Sequence, residues 1–216
     1  MTLPDLYPLA FLGDLIATRA EVSLKLQRYD EMSGGGDGRR WAAELAPPLW
    51  TASFDLNNLS RDCIGRARST DARFRALGTN RAFLWADPTY SGPAIGAPAH
   101  LVNADVRVAG FSADRTRITF SGLPAGFEFA AGDRFSAPWG TGRYYLGEIA
   151  DGGAVAGGSV QVAVYPYPPL SLQVGAQIEL LRPVCRMFVP DDGYTPYSYR
   201  RGSAATGASV TMLEKR

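Results

Sequence analysis

Between residues 99 and 183 the sequence contains only short strand patterns, and no helical periodicity interrupts them. Turns rich in glycine and proline, such as GLPAG, DGGAVAGG and YPYPPL, separate these patterns, because both residues suit the backbone angles of tight turns. Six short strands at such spacing predict a small β-barrel or sandwich. The predicted strands are Asp105–Ala109, Arg117–Ser121, Arg134–Ala137, Tyr144–Ile149, Ser159–Tyr165 and Ala176–Leu181.

The strand patterns in the first half of the chain predict an antiparallel meander. Apolar and polar residues alternate in Glu21–Tyr29, which is typical of a strand with one buried face. The SGGGDG segment at Ser33–Gly38 favours a hairpin tip, since glycine tolerates positive φ angles. Two further strands, Arg40–Leu45 and Leu49–Phe54, are separated by Pro47-Pro48, and Ala82–Trp85 predicts a buried strand that stops at Asp87-Pro88.

One helix is predicted from Leu59 onward, because its apolar residues recur at helical spacing. That stripe consists of Cys63, Ile64, Ala67, Phe74 and Leu77, and five arginines, Arg61, Arg66, Arg68, Arg73 and Arg75, occupy much of the remaining surface. Asn57 or Asn58 is the expected N-cap, since a short side-chain oxygen accepts a hydrogen bond from a free backbone N–H. Gly78 suits the left-handed conformation that often ends a helix.

The order of these patterns predicts a mainly β chain in two parts. The Gly/Pro/Ala-rich segment Ser91–Ala99 indicates a hinge and a domain boundary. After the variable stretch PDDGYTPYSYRRG, a last strand is predicted at Ala208–Leu213. We therefore expect a β-sandwich with one helix, formed by residues 1–98 and 184–216, into which residues 99–183 are inserted as a small β-barrel.

Composition argues against several functional classes. The net charge of +1 gives no overall field that would attract nucleic acid or an anionic membrane. The N-terminus has no basic leader with an apolar core, so no signal peptide is predicted, and no apolar run reaches transmembrane length. Cys63 and Cys185 are interpreted as small core residues rather than a disulfide.

The candidates for catalysis are weak. His100 is the single histidine and has no companions at metal-ligand or catalytic-triad spacing. The SGGGDG segment precedes a strand-like sequence, whereas a phosphate-binding loop must open a helix. The carboxylate pairs Asp191-Asp192 and Glu128 with Asp133 fit turns better than an active site, and Asp133 is expected to stabilise its own AAGDR turn. The sequence predicts no catalytic residue, no cofactor and no metal ion.

Arginines and aromatic residues suggest two kinds of binding. The arginines of the helix favour contacts with the carboxylates of a partner protein over nucleic acid, because no recognition motif accompanies them. Exposed tyrosines suit protein interfaces and also sugar binding by ring stacking. The aromatic candidates are Trp139, Tyr144, Tyr145, Tyr165, Tyr167, Tyr194, Tyr197 and Tyr199.

Taken in order, the elements resemble the distal tail proteins of siphophages. Ala46–Pro88 matches as a strand, a long helix and an aromatic-rich strand closed by Asp-Pro. Leu123–Ile149 and Val160–Pro183 resemble the inserted β-domain of such proteins, with a Gly-Asp-x-Phe turn and a closing Arg-Pro. Thr206–Arg216 is similar to their returning terminal strand.

This resemblance implies a structural virion protein of the phage tail tip, made in the host cytoplasm. Such proteins form a ring, usually a hexamer, which joins the tail tube to the central hub, baseplate or fibre, and DNA passes through its channel. The inserted domain, OB-like or galectin-like, would face outward and dock peripheral proteins. The chain is shorter than relatives with larger carbohydrate-binding modules, which favours an adaptor. A sugar-binding module for host attachment is the alternative, and a tail-associated hydrolase is disfavoured because its motifs are missing.

Overall fold

The computed structural model describes residues 4–12, 21–34, 39–78, 80–95, 98–200 and 204–216. The protein is mainly β with one helix of more than a single turn among these residues, as the sequence predicts. The strands of the first part are β1 (Leu6–Tyr7), β2 (Val22–Gly34), β3 (Arg40–Asp55), β4 (Leu59–Ser60) and β5 (Ala82–Ala86). The helices are α1 (Ile64–Leu77) and the one-turn α2 (Pro98–Leu101), and short 3-10 turns occupy Leu9–Phe11 and Arg61–Cys63.

The remaining strands follow the short helix α2. Those of the middle part are β6 (Arg107–Phe111), β7 (Arg117–Ser121), β8 (Glu128–Phe129), β9 (Arg134–Gly140), β10 (Arg143–Ile149), β11 (Gly153–Ala154) and β12 (Ser159–Tyr165). Those of the last part are β13 (Val184–Phe188), β14 (Tyr194–Thr195), β15 (Ser198–Tyr199), β16 (Ala204–Thr206) and β17 (Ser209–Glu214).

Both ends of the chain build the first sheet. Its strands lie in the order β1-β5-β13-β17-β3-β2, with β14 also paired to β17. β1 pairs with β5 in parallel, and the other pairs are antiparallel. Because β13 and β17 come after the middle part, the chain leaves this sheet after β5 and returns to its centre. β2 is left as an edge strand.

Helix α1 packs on the first sheet through a stripe of residues that are spaced three or four positions apart. Its buried residues are Ala67, Thr70, Asp71, Phe74 and Leu77, whereas Cys63 and Ile64 are only half-buried. The predicted asparagine cap is wrong, because Asn57 and Asn58 precede strand β4 and a 3-10 turn, and the helix begins only at Ile64. Gly78 ends the helix with φ +54°, so a residue that tolerates positive φ is needed there.

The middle part is a small barrel whose strands lie in the order β6-β7-β12-β10-β9. The predicted strand at Ala176–Leu181 is wrong as a regular strand, but this segment closes the barrel. Gln177 forms an antiparallel bridge with Arg107 on β6, and Glu179 forms one with Ser136 on β9. A segment that bridges both edge strands leaves neither edge of the barrel open.

Two hydrophobic clusters fill the molecule. The first combines residues before position 86 with residues after position 184, together with Leu146 from β10. The second consists of residues between Leu101 and Leu180, including Phe120, Phe129 and Phe135, whose rings contact one another at centroid distances of 5.0 and 5.3 Å. The chain thus has two cores, and the second is built from one continuous segment.

Candidate assembly surface

The hairpin of β2 and β3 extends beyond the first sheet as an arm, which we define as residues 28–34 and 40–47. Strand β17 pairs with β3 only from Thr51 to Asp55, so no described strand covers the outer side of residues 40–47. None of the arm residues is fully buried, and residues 40–47 are all exposed. The arm therefore has two open edges and two open faces. The predicted glycine-rich hairpin tip lies partly outside the described residues, because residues 35–38 are not among them.

The arm begins at an irregularity centred on Pro47 and Pro48. The sequence predicts two strands separated by these prolines, and this prediction is wrong because β3 runs continuously from Arg40 to Asp55. The register shifts there, since Gln27 pairs with Leu49 but Tyr29 pairs with Ala46. Proline has no N–H to donate, so it is tolerated in a strand where a bulge removes the need for a ladder bond.

The arm exposes large apolar side chains on both of its faces. Met32 is 71% exposed, Trp41 69% and Leu45 66%. Met32 pairs with Ala42, whereas Trp41 pairs with Ser33, so Met32 and Trp41 point to opposite faces. Asp30 lies opposite Glu44, and the Arg28 Nε atom offsets this like-charge pair at 2.8 Å from an Asp30 carboxylate oxygen. Isolated exposed apolar residues are common, but three on one hairpin indicate an interaction surface.

Buried hydrogen bonds hold the base of the arm. The Trp50 indole Nε1 donates to the carbonyl of Leu146 in the barrel at 2.8 Å, and the Trp50 backbone N–H donates to the Glu214 carboxylate at 3.0 Å. The Arg216 guanidinium donates to the carbonyl of Pro48 at 2.8 Å. Burial raises the pKa of Glu214, although Arg216 and the Trp50 N–H act in the opposite direction. The arm is thus anchored at its root and free beyond it.

A polar junction fixes the barrel against the first sheet. The Arg134 guanidinium lies 2.6 Å from an Asp87 carboxylate oxygen and 3.3 Å from one of Glu148. The Tyr90 hydroxyl donates to the Arg134 carbonyl at 3.1 Å and accepts from its N–H at 3.0 Å. Burial raises the pKa of Tyr90 to about 12, so the phenol stays protonated at neutral pH. The Val184 N–H donates to the Ser136 hydroxyl at 2.9 Å.

The structure does not bring the predicted catalytic candidates together. His100 is exposed on the short helix α2, and Asp191 and Asp192 are exposed in a turn. Asp133 is buried and accepts hydrogen bonds from the N–H groups of Ala130 and Ala94, both at 2.8 Å, so it stabilises its turn as predicted. Glu128 is exposed on β8.

The helix contains one buried charge that the sequence does not reveal. Asp71 is 1% exposed and accepts hydrogen bonds from the hydroxyls of Tyr194 and Tyr199, with the Arg75 guanidinium at 3.8 Å. Burial and the hydrogen bond to Asp71 raise the pKa of Tyr194 well above its ordinary value. Arg66, Arg68 and Arg75 are exposed on the helix, and Arg61 is exposed in the 3-10 turn that precedes it. Arg73 is half-buried and donates to the carbonyl of Phe11 at 2.9 Å.

The predicted aromatic cluster divides into separate groups. Tyr194 stacks on Phe74 at 4.3 Å, and Tyr145 and Tyr197 are buried. Trp139 is half-buried with the Arg143 guanidinium 5.1 Å from its ring. Tyr167 is 51% exposed and packs edge-on against the half-buried Tyr165 at 5.6 Å. The sequence does not separate the buried rings from the exposed ones, because strand alternation does not show which face of a strand is packed against another part of the chain.

In the described part of the chain, no three or more His, Cys, Asp or Glu side chains are grouped so that they could hold a metal ion. No helix in the same ranges is both long and apolar enough to cross a membrane. Cys63 and Cys185 are free thiols, and burial raises the pKa of the Cys185 thiol far above its ordinary value.

No known family model matches the sequence, and no curated protein is significantly similar to it.

Proposed function

We propose that the chain is a structural protein of the siphophage virion, a distal tail protein that forms a ring at the tail tip. The arm carries this proposal, because no other described strand pairs with its edges and its faces are largely exposed. A two-stranded hairpin is marginally stable in water, and open edges invite pairing with other strands. Partner strands that cover the arm would remove both liabilities.

Strand direction allows arms of successive copies to pair. In one copy β2 and β3 are antiparallel. If the outer edge of β2 pairs with residues 40–47 of the next copy, again antiparallel, each copy adds two strands to a growing barrel. Such a contact uses a different surface on each partner, so it is heterologous and ends only when the ring closes. A hexamer is the usual state in the family that the chain resembles.

The open face of the first sheet supports a channel. Helix α1 shares a hydrophobic cluster with Ala52 and Phe54 on the opposite face, while Ser23, Ser53 and Thr211 lie side by side on the open one, next to Lys25. Hydroxyl groups with a single ammonium group give a polar wall of low charge, which suits a passage through which DNA moves without tight binding. In this proposal the first part of the chain, residues 1–98 and 184–216, forms the ring.

The inserted barrel, residues 99–183, takes the outward position in this proposal. Its own hydrophobic cluster and its closed edges support a separate unit. The rigid junction around Arg134 would transmit force between the ring and proteins docked on the barrel. The proposed partners are the tail tube protein, the hub or baseplate, and a tail fibre protein.

A second candidate is sugar binding by the barrel, which the exposed ring of Tyr167 favours. Trp139 offers less surface, because it is half-buried beneath Arg143. This candidate predicts that the full chain binds glycans from the host surface, with a loss of binding in Tyr167→Ala. The ring protein predicts no glycan binding and a separate receptor-binding protein in the virion.

The proposed ring is tested by mass photometry of the full chain at micromolar concentration, alone and with its tube or hub partner. We expect a ring-sized species for the natural sequence. Replacing Met32, Trp41 and Leu45 together by serine should leave monomers, because contacts between neighbouring side chains stabilise paired strands. These monomers should melt at an unchanged temperature, because the three side chains are exposed in the single chain. Val102→Ser is the matched control, since Val102 is 66% exposed but lies outside the arm. A natural chain that stays monomeric with both partners contradicts the proposal.

A further inference from the structure

A loop of the barrel carries a second group of exposed apolar side chains. Residues 166–175 connect β12 toward β13, and Tyr167, Leu170 and Val174 are 51%, 82% and 61% exposed. We call these three residues the loop surface. The sequence of this segment, PYPPLSLQVG, contains no ionisable group other than the phenol of Tyr167. The loop surface is therefore apolar and uncharged at neutral pH.

The loop is held in place from beneath. The Arg115 guanidinium donates to the carbonyls of Pro169 and Leu172 at 2.9 and 3.2 Å and lies 3.9 Å from the centre of the Phe111 ring. The Tyr145 hydroxyl donates to the carbonyl of Pro166. Arg115 has φ +56°, a conformation that costs energy in a residue other than glycine and persists only where surrounding contacts maintain it. A fixed loop loses little entropy when a partner binds.

The loop surface is continuous with the arm through Tyr165. The ring of Tyr165 contacts that of Tyr167. Burial raises the pKa of the Tyr165 hydroxyl, and charges of the arm act on it as well, Arg28 lowering it and Glu44 and Asp30 raising it. Tyr165 also lines a cleft of about 250 Å³ together with Leu24, Leu26 and Trp50 at the base of the arm. Asp30 and Met32 alternate along β2 and pair with Glu44 and Ala42, so they share one face of the arm. Met32 follows Leu24 and Leu26 at even spacing along β2, so it lies on the side of the strand that lines this cleft beside Arg134 and Glu148 of the barrel.

We propose that the loop surface of one copy docks on the Met32 and Ala42 face of a neighbouring copy's arm. This inference rests on the proposed ring. Pairing of arms covers their edges but not their faces, and the open face of the sheet would line the channel. On the opposite face, Met32 and Ala42 lie beyond the Asp30 and Glu44 pair, and this apolar end then needs a cover on the outer side of the ring, where the loop surface lies. Each copy gives its arm to one neighbour and its loop surface to the other, as a heterologous ring requires.

The test uses the full chain and a variant with Leu170→Ser and Val174→Ser. Both side chains are largely exposed, so the monomer should keep its melting temperature. The first measurement is the concentration at which the ring dissociates, which should rise roughly tenfold in the variant, the equivalent of about 1.4 kcal/mol. Val102→Ser again serves as the exposed control outside the loop.

The second measurement is oxidation of Met32 by hydrogen peroxide, followed by mass spectrometry. Met187 and Met212 are fully buried and provide an internal reference for slow oxidation. We expect assembly of the natural chain to protect Met32, and the loop variant to lose that protection at concentrations where rings persist.

The outcomes separate this inference from the proposed ring. If rings form but the loop variant is as stable as the natural ring and Met32 oxidises at the monomer rate, the docking of the loop surface is wrong and the ring stands. If the loop variant assembles normally but loses binding to the hub or to glycans, the loop surface belongs to that ligand instead. If the natural chain forms no ring with either partner, both proposals fail.

Discussion

The arm and the inserted barrel are both antiparallel β-structure, yet their edges have different environments. In the barrel, residues 176–181 bridge β6 and β9, so both edge strands have partners within the chain. In the arm, β17 ends its pairing with β3 at Thr51, and residues 40–47 have an open outer edge. The barrel therefore pairs its edges within the chain, whereas the described arm leaves backbone groups open to pairing with other strands. In the function proposed above, the barrel supplies stability and the arm supplies the assembly contact.

The strongest test of this comparison separates the two regions. Residues 99–183 expressed alone should melt cooperatively, because their hydrophobic cluster is built from one continuous segment. A peptide of residues 27–48 should remain unfolded in water, since its only cross-strand contacts are those of one hairpin. Circular dichroism across a temperature ramp distinguishes the two results. A barrel fragment without a melting transition would show that its core depends on the first sheet.

Single substitutions should show the same contrast inside the full chain. Phe120 is fully buried against Phe129 and Phe135, so Phe120→Ala should lower the free energy of unfolding by about 3–5 kcal/mol. Trp41→Ala should change it by less than about 0.5 kcal/mol in the monomer, because the side chain is 69% exposed. Denaturant titration at concentrations below assembly gives both values. A large loss from Trp41→Ala would mean that the arm is covered within the single chain.

The sequence predicts the barrel better than it predicts the arm, and the reason is physical. Turn residues such as those in GLPAG and DGGAVAGG act locally, so Arg117–Ser121 and Ser159–Tyr165 are predicted with the bounds that the structure has. The returning strand is also close to its prediction, at Ser209–Glu214 rather than Ala208–Leu213. Turn residues and strand alternation are therefore enough to predict strands whose ends are set by the neighbouring turns.

Other features depend on contacts between distant residues. Pro47 and Pro48 predict a break, but β3 continues through them because a bulge removes the need for their missing N–H groups. Alternation along β2 predicts one buried face, whereas only Val22, Leu24 and Leu26 pack on a hydrophobic cluster and the described residues of this strand beyond Gln27 pack on none. The helix stripe predicts Phe74 correctly but not the buried Asp71, which accepts hydrogen bonds from tyrosines 123 and 128 residues away along the chain.

A third prediction concerns the junction that holds the barrel beside the arm. Arg134→Met keeps the volume of the side chain but leaves the Asp87 carboxylate, which is 7% exposed, without its cation. The loss should be about 1–3 kcal/mol, because an unpaired buried charge is costly while Arg134 itself is partly solvated. Glu148→Gln is the milder control, since that carboxylate is 38% exposed. If Arg134→Met separates barrel melting from sheet melting in calorimetry, the junction couples the two regions.

A small, pH-dependent effect is expected at the base of the arm, from Glu214. Its pKa is raised in the folded chain, mainly by burial, so the folded state binds more protons than the unfolded state between the ordinary pKa and the raised one. In that acidic window the free energy of unfolding falls as pH rises, and the contribution is constant above it. Glu214→Gln preserves an oxygen acceptor for the Trp50 N–H and should flatten the slope in this window, with a change of less than about 1 kcal/mol at neutral pH. Denaturant titrations from pH 4 to pH 7, roughly the range over which a perturbed carboxyl titrates, measure the slope. A variant with the same slope as the natural chain would show that the carboxylate at the root of the arm does not gain a proton on folding.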